Sequence, residues 1–293
     1  MLSSTWHYLN IFVQKHIQTV HFDLENTMQE SVRLRQEQLI DLLRTDTVLT
    51  IRDLSDRLNV SQLTIRRDLE ALEDEGVIRR IHGGAKFIMA PQQAMDKGEV
   101  SFNIRRHSRV DEKRAIARAV LPFIENGQVI IQDASTTTLF LAQMLPDDLY
   151  ITIITHSAFL PIELSARQNI QVISTGGVLH GTSLCYLGFE AETTVGQFHA
   201  HKAIFGAKGV TLHEGCTDAH FSEVKLKAAM AQRAQELWIL ADHSKIGNIA
   251  LASFASLSRI HTLVTDEKAD KEIVQMFQKK GVNVICAPID ETT

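Results

Sequence analysis

Several short polar motifs in this sequence follow apolar runs that are typical of buried strands. Asp133-Ala-Ser-Thr-Thr-Thr138 comes directly after the apolar run 128–132 and begins a predicted helix. Consecutive hydroxyl groups and the free N–H groups of a helix N-terminus together make a turn that can bind an anion. An ordinary capped helix start has the same residues, so this motif alone leaves both interpretations open.

Other polar groups stand at the ends of further predicted strands. Thr175-Gly176-Gly177 offers glycines that permit close backbone approach, and Asp242-His-Ser-Lys245 offers a lysine suited to phosphate, although a solvated surface lysine would look the same. Ligands of open α/β sheets bind at the carboxyl ends of the strands. The predicted effector-binding residues are Asp133, Ser135, Thr136, Thr137, Thr138, Gly176, Gly177, Lys208, Glu223, Asp242 and Lys245.

The elements that would position these motifs alternate between strands and helices. The predicted strands are 128–132, 150–155, 170–174, 202–205, 237–240, 262–265 and 282–286, and helices are predicted at 111–124, 157–168, 222–235 and 270–280. This alternation predicts a mostly parallel sheet covered by helices. We therefore predict a Rossmann-like α/β domain over residues 101–293, preceded by a linker at 89–100.

Residues 28–88 have the pattern of a smaller domain. A helix is predicted at 32–44, and the Thr50-x-x-Asp53 capping box starts a second helix at Ile51. Ser61 is the predicted N-cap of a third helix, 62–75, which ends at Gly76. Strands at 77–81 and 85–88 follow. These elements predict a winged helix-turn-helix, although a generic helical subdomain has similar turns.

The placement of charge favours the DNA-binding interpretation. Arg66 and Arg67 lie early in the third helix, and the predicted wing carries basic residues with no acid. A recognition helix that enters the major groove by its N-terminal end needs this asymmetry. We expect one of the two arginines to contact a base and the other to contact either a phosphate or an acid of the protein. Asp68 is expected to be a structural partner. The predicted DNA-binding residues are Ser61, Gln62, Thr64, Arg66, Arg67, Arg79, Arg80, His82 and Lys86.

The run VSQLTIRRDLEALEDEG at 60–76, followed by IRRIHGGA at 78–85, resembles the DNA-binding signature of the DeoR family of bacterial regulators. The resemblance extends over residues 33–290. It implies a C-terminal sugar-phosphate sensor domain related in fold to ribose-5-phosphate isomerase. In such a domain the 133–138 turn and Lys245 would hold the phosphate, and Gly176, Gly177 and Glu223 would line the sugar.

Two positions depart from the family pattern. His156 stands where the family often has Asn, and it is either a ligand contact or a packed histidine. Lys208 stands where the family often has an acid. In the related isomerases acidic residues there transfer protons, so Lys208 argues against isomerase chemistry and for a more anionic effector.

Composition excludes several other classes of protein. A net charge of −5 over 293 residues argues against a protein that coats DNA non-specifically. Cys185, Cys216 and Cys286 form no metal-binding spacing and suit a reducing cytosol, so we predict no metal, no cofactor and a cytoplasmic location. No apolar stretch approaches the ~18 residues of a membrane span. Residues 1–27 have no steady period: they are either an extension upstream of a start at Met28, which we favour, or an amphipathic arm.

The leading hypothesis is a non-enzymatic transcription regulator. It would be a repressor of a sugar-metabolism operon, a homodimer or homotetramer that binds operator DNA and responds to a phosphorylated sugar. One alternative is a sugar-phosphate isomerase fused to a DNA-binding module. Another is a constitutive DNA-binding protein whose C-terminal domain only oligomerises.

Overall fold

The computed structural model describes residues 32, 35–36, 38–40, 42–43, 49–74, 77–81, 83–87 and 102–289. Contacts divide the chain into two compact units, 1–89 and 90–293. The predicted domain boundaries at 28, 88 and 100, and the segment 1–27, lie outside the described residues. None of the helices in the described part of the chain has the length and apolar character that a bilayer crossing needs.

The N-terminal unit combines helices with a small antiparallel sheet. The described residues between 32 and 43 are helical, and α1 (Ile51–Leu58) and α2 (Gln62–Asp74) follow. Strands β1 (Leu49–Thr50), β2 (Ile78–Ile81) and β3 (Gly84–Phe87) pair in the order β1-β3-β2. The predicted helices and wing strands are confirmed, whereas β1 was not predicted. The predicted end of the third helix at Gly76 lies outside the described residues.

Local capping explains where these helices begin and end. The Thr50 hydroxyl accepts a hydrogen bond from the Asp53 amide at 3.1 Å, and the Asp53 carboxylate accepts one from the Thr50 amide at 3.1 Å. Asn59, with a φ of 51°, ends α1 in the left-handed region. The Ser61 hydroxyl then accepts from the Thr64 amide at 3.1 Å. Both predicted caps are confirmed.

The C-terminal unit contains a seven-stranded parallel sheet in the order β15-β14-β12-β9-β4-β5-β6. Its strands correspond to the seven predicted ones, and the largest difference is the start of β12 at Ala234 rather than Leu237. The strands are β4 (Val129–Gln132), β5 (Ile151–Thr155), β6 (Ile170–Ser174), β9 (Ala200–Gly206), β12 (Ala234–Leu240), β14 (Thr262–Asp266) and β15 (Asn283–Ala287).

Helices cover both faces of this sheet. They are α3 (Phe102–Arg106), α4 (Val110–Val120), α5 (Thr136–Gln143), α6 (Leu160–Glu163), α7 (Phe189–Val195), α8 (Phe221–Gln232) and α9 (Lys271–Lys279). The predicted helix 157–168 is wrong in extent, because α6 has only four residues. Beyond it, Arg167 and Asn169 donate hydrogen bonds to backbone carbonyls of the 145–149 loop, which keeps the chain out of a continuing helix.

The alternation of strand side chains builds two apolar cores, one on each face of the sheet. Ile131 and Phe205 belong to one core, and their neighbours Ile130 and Ile204 belong to the other. A parallel sheet buried on both faces needs such continuous apolar strands, which is why the sequence pattern predicted it.

Two small antiparallel additions were not predicted. One is the hairpin of β7 (Val178–His180) and β8 (Cys185–Leu187), and the other joins β10 (Gly209–Thr211), β11 (Gly215–Asp218) and β13 (Ala252–Ala255). These strands are three or four residues long, too short for a reliable periodic signal. Both additions matter because they carry residues of the sites described below.

The wing depends on a close approach between β1 and β3 at Gly84. A Cβ added to Gly84 would lie 2.1 Å from the Leu49 carbonyl oxygen. We expect Gly84→Ala to destabilise the N-terminal unit by about 1–3 kcal/mol because the strands would have to separate. Hydrogen exchange at the Ile51 amide, which donates to the Gly83 carbonyl, would report the loss.

Gly181→Ala is the control for this substitution, since a Cβ there meets no atom within 4 Å. We expect it to leave exchange at Ile51 unchanged. Wild-type protection of Ile51 in Gly84→Ala would show that the close approach is not required for the wing.

Candidate functional site

A cavity lies at the carboxyl ends of β4, β9 and β12 and encloses about 730 Å³, open solvent at its mouth included. The structure brings together eight predicted effector-binding residues in its lining: Asp133, Ser135, Thr136, Thr137, Lys208, Glu223, Asp242 and Lys245. Sequence reasoning missed further polar lining residues, namely Arg105, Ser108, Arg109, Lys113, Asp218 and Lys227. The polar lining suits a small polar ligand.

The turn that begins α5 is both a helix cap and part of the cavity wall. The Asp133 carboxylate accepts hydrogen bonds from the Ser135 amide at 3.1 Å and the Gly206 amide at 2.9 Å, so it anchors the turn to β9. A Cβ at Gly206 would lie 2.6 Å from the Ser135 side chain, so only glycine permits this approach. Ser135, Thr136 and Thr137 still line the cavity.

Thr138 differs from the other residues of the turn. Its side chain is fully buried, and its hydroxyl donates to the Asp133 carboxylate at 2.9 Å. Gln132 also donates to the Thr138 carbonyl. The predicted contact of Thr138 with an effector is therefore corrected: this residue supports the turn from behind.

Gly176 and Gly177 are not part of the cavity lining. They follow β6, the edge strand, and β5 separates β6 from β4 in the sheet. A Cβ at Gly177 would lie 2.6 Å from the Leu187 carbonyl oxygen, so this glycine permits the chain to pack against β8. Their placement does not support the predicted contact with a ligand, because the strand order separates the loop after β6 from the loop after β4. The sequence does not reveal that order.

A buried ion group forms the floor of the cavity. The Lys227 ammonium lies 3.0 Å from the Asp133 carboxylate and 2.9 Å from the Asp218 carboxylate, and it donates to the Gly206 carbonyl at 2.7 Å. Burial opposes the charge of Lys227, but Asp218 and Asp133 raise its pKa above the ordinary value. Burial, together with the nearby Asp218, raises the pKa of Glu223. The spacing of Val224, Lys227 and Ala231 on one helix face was an available signal for this buried lysine.

Five further basic residues line the cavity, and we call them the cationic cluster: Arg105, Arg109, Lys113, Lys208 and Lys245. The Lys113 ammonium donates to the carbonyls of Arg105 and Ser108. Burial, aided by the neighbouring cations Arg105, Lys245 and Lys208 and opposed by Asp242, lowers its pKa to about 7. Burial also lowers the pKa of Lys208. The cluster thus concentrates positive charge where an anion would relieve repulsion.

Helical spacing does not explain the missed cations. Arg105 lies in α3 and Lys113 in α4, and Arg109 stands between the two helices with a left-handed φ of 53°. Arg109 is held by Asp242, with 3.5 Å between its Nε and the carboxylate.

His156, whose role the sequence left open, does not line the cavity. It is fully buried, and burial lowers its pKa to about 4.

The N-terminal unit presents most of its predicted DNA-binding residues at the surface. Ser61, Gln62, Arg66, Arg67, Arg79 and Lys86 are exposed, and Thr64 is half-buried. Arg79 and Lys86 lie directly opposite each other in the β2–β3 ladder. Like charges in such a pair are destabilising, and a phosphate between them would remove the repulsion. His82 lies outside the described residues.

Some charged residues of this unit are paired with each other within the structure. Arg35 Nε donates to the Asp68 carboxylate at 2.6 Å, which confirms Asp68 as a structural partner. The wing strands themselves carry no acid, but the Arg80 guanidinium lies 3.9 Å from both Glu70 and Glu73 of α2. Those acids precede the wing in sequence and reach it only through the packing of α2 on β2.

Comparisons with known proteins agree with this arrangement of a DNA-binding unit and a ligand-sensing unit, the organisation of a transcription regulator. Residues 35–90 match the DeoR-like helix-turn-helix domain, and residues 108–267 match the DeoR C terminal sensor domain. The chain belongs to the DeoR family of transcriptional regulators.

Relatives support the same assignment over most of the chain. The uncharacterized HTH-type transcriptional regulator YulB of Bacillus subtilis is 37% identical over 88% of this chain and 97% of its own. The L-fucose operon activator of Escherichia coli K12 is 36% identical over 80% of this chain and 95% of its own. A ribose 5-phosphate isomerase A structure from Methanocaldococcus jannaschii matches 47% of this chain and 55% of its own at 16% identity, with a TM-score of 0.36, too low to assign a shared fold.

The buried ion group predicts a large stability loss when its cation is removed. Lys227→Met would leave Asp133 and Asp218 buried without their counter-ion, so we expect the free energy of unfolding to fall by about 3–5 kcal/mol. Denaturant unfolding of the full chain at neutral pH measures it. Lys268→Met is the matched control, because the Lys268–Glu112 pair at 3.0 Å involves a half-exposed lysine and is worth about 0–1 kcal/mol. Equal losses in the two variants would contradict the structural role of Lys227.

Proposed function

We propose that this protein is a repressor of a sugar-metabolism operon and that a phosphorylated sugar controls its affinity for operator DNA. The observation that carries the proposal is the meeting of the cationic cluster with the hydroxyl-rich turn of α5 in one cavity. A phosphate dianion needs both positive charge and hydrogen-bond donors. The acids Glu223, Asp218 and Asp242 line the same cavity and suit the hydroxyl groups of a sugar.

The proposed binding mode divides the cavity between these two kinds of group. The phosphate would lie against Ser135, Thr136 and Thr137 and take charge from Lys245 and the other members of the cationic cluster. Lys208 adds a cation on the side of the acids. We therefore propose an effector with a second anionic or strongly polar group near its sugar.

Control of DNA binding requires the effector to discriminate between two states of the protein. An effector that binds both states equally shifts nothing, whereas a hundredfold difference is worth about 2.7 kcal/mol. We propose a homodimer or homotetramer, because paired operator half-sites match symmetric proteins. On the DNA, Arg66 or Arg67 would contact a base, and Arg79 and Lys86 would contact phosphates.

A relative is named as an activator, so the sign of the control needs its own test. A reporter fused to the promoter of the regulated operon tests it in cells with and without the gene. Expression that rises when the gene is deleted supports repression. Expression that falls identifies an activator, and turnover of ribose 5-phosphate by the pure protein would favour the isomerase alternative.

Two sets of substitutions test the division of labour between the units. Arg66→Ala and Arg67→Ala should each weaken operator binding about 10- to 100-fold, because a lost base or phosphate contact costs about 1–3 kcal/mol. Effector binding should be unchanged. Lys245→Ala should weaken effector binding by a similar factor and leave operator binding intact.

Fluorescence anisotropy on DNA from upstream of the protein's own gene, at fixed salt, measures these effects while pooled sugar phosphates are titrated. Lys271→Ala, an exposed lysine of α9, is the control and should change neither affinity. If both kinds of variant lost both activities, the assignment of separate DNA and effector residues would be wrong.

The lowered pKa of Lys113 predicts a pH dependence of effector binding. Near its pKa of about 7 this lysine loses its proton in the free protein, and a bound dianion would favour the protonated form. Binding therefore takes up a proton, and affinity should weaken by up to about tenfold per pH unit between pH 7 and 9. The phosphate group itself titrates below this range, because its second pKa is about 6.

Isothermal titration at several pH values, with the sugar phosphate identified by anisotropy, measures this dependence. Lys113→Met should bind more weakly and with a flatter pH profile, and Lys271→Met should keep the wild-type slope. A constant affinity from pH 7 to 9 in the wild type would show that Lys113 stays charged without the effector.

A further inference from the structure

Three metal-ligating side chains meet beside the effector cavity. They are His156 in the loop after β5, Cys185 at the start of β8 and Glu223 in the first turn of α8. An imidazole nitrogen, the Cys185 Sγ and a Glu223 carboxylate oxygen all lie within 4.8 Å of one another, and all three residues are buried. They come from separate elements and lie 29 or more positions apart in the chain, so no spacing motif reveals them.

The state of His156 needs an explanation. The residue is fully buried, and neither ring nitrogen has a hydrogen-bond partner among the described residues. A buried polar group without a partner costs about 1–3 kcal/mol, and such groups in folded proteins call for a reason. Coordination of a cation by one ring nitrogen would satisfy it, and the neutral imidazole favoured by burial is the form that binds metals.

The donor set identifies the kind of cation. A thiolate, an imidazole and a carboxylate are ligands of Zn²⁺, whereas Mg²⁺ and Ca²⁺ prefer sites made of oxygen atoms. Three protein ligands leave one position of a tetrahedral site for a further ligand. Glu223 also lines the effector cavity, so the site adjoins the place where a ligand would bind.

Further imidazoles surround this group. His180 lies directly opposite Cys185 in the β7–β8 ladder, and its ring packs against His220 with 4.4 Å between the ring centroids. His220 precedes α8 and stands three residues before Glu223. Both of these histidines are half-buried, so two further imidazoles stand next to ligands of the group in the β7–β8 ladder and at the start of α8.

We propose that the protein binds one Zn²⁺ per chain through His156, Cys185 and Glu223. The metal would join the loop after β5, the β7–β8 hairpin and α8 at one wall of the effector cavity. This site is independent of the phosphate-binding residues, and its test requires no effector.

The test uses the full chain, freed of any affinity tag and stripped of metal by dialysis against a chelator. Zn²⁺ is then titrated in competition with a chromophoric chelator, and Co²⁺ is used as a spectroscopic probe. We expect one Zn²⁺ per chain, no competition from Mg²⁺ or Ca²⁺, and an intense thiolate-to-cobalt charge-transfer band. If the folded chain bound no more Zn²⁺ than the exposed histidines of a denatured control bind, the proposal would be overturned.

Substitutions assign the ligands. Cys185→Ser should abolish the charge-transfer band, and His156→Asn should weaken Zn²⁺ binding by more than about 100-fold, because even losses outside the ligand set cost about 10- to 100-fold. Cys216→Ser is the matched control: Cys216 is equally buried in the same unit, and this variant should keep both the band and the affinity.

Circular dichroism and operator binding of the metal-free proteins show whether each variant folds. If Cys185→Ser fails to fold, His156→Asn decides alone through its Zn²⁺ affinity. A charge-transfer band that survives Cys185→Ser, or Zn²⁺ affinity that is unchanged in His156→Asn, would overturn the assignment.

Discussion

The ion group centred on Lys227 is the interaction on which the effector cavity depends. One ammonium group links the end of β4 through Asp133, the end of β9 through the Gly206 carbonyl, and β11 through Asp218. Since three charges are almost fully buried, each needs the others to offset the loss of hydration. The same contacts set the position of the α5 turn, because Asp133 also accepts from the amides of Ser135 and Gly206.

The balance of charge in the cavity lining follows from this arrangement. Lys227 is paired with Asp133 and Asp218, and the cavity lining as a whole carries six basic side chains against four acidic ones, an excess of positive charge. Burial is the main cause of the lowered pKa values of Lys113 and Lys208, and the neighbouring cations of the cluster add to it. An anionic ligand would restore the balance, and this supports our proposal of a phosphorylated effector.

In the N-terminal unit, too, some basic side chains are paired with acids and others are not. Arg79 and Lys86 lie opposite each other in the ladder, whereas Arg80 is paired with Glu70 and Glu73. Asp68, the acid nearest to the exposed Arg66 and Arg67 in sequence, is occupied by Arg35. The acids of α2 are thus directed to specific partners, and the exposed arginines remain available for the phosphates and bases of DNA.

The sequence by itself determined the local elements, the two-part organisation and the family, because caps, apolar periods and the 60–85 signature are encoded over short distances. It also predicted the α5 turn, Lys245 and the other strand-end residues, since the carboxyl ends of parallel strands share one edge of a sheet. Only the tertiary structure decided that Gly176 and Gly177 lie apart from that turn, that Thr138 is buried behind it, and that Lys227, Asp218 and Arg109 belong to the site. Those facts depend on strand order and on contacts between distant segments, which neither periodicity nor spacing records. The group of His156, Cys185 and Glu223 is the clearest case, because three separate elements supply one ligand each.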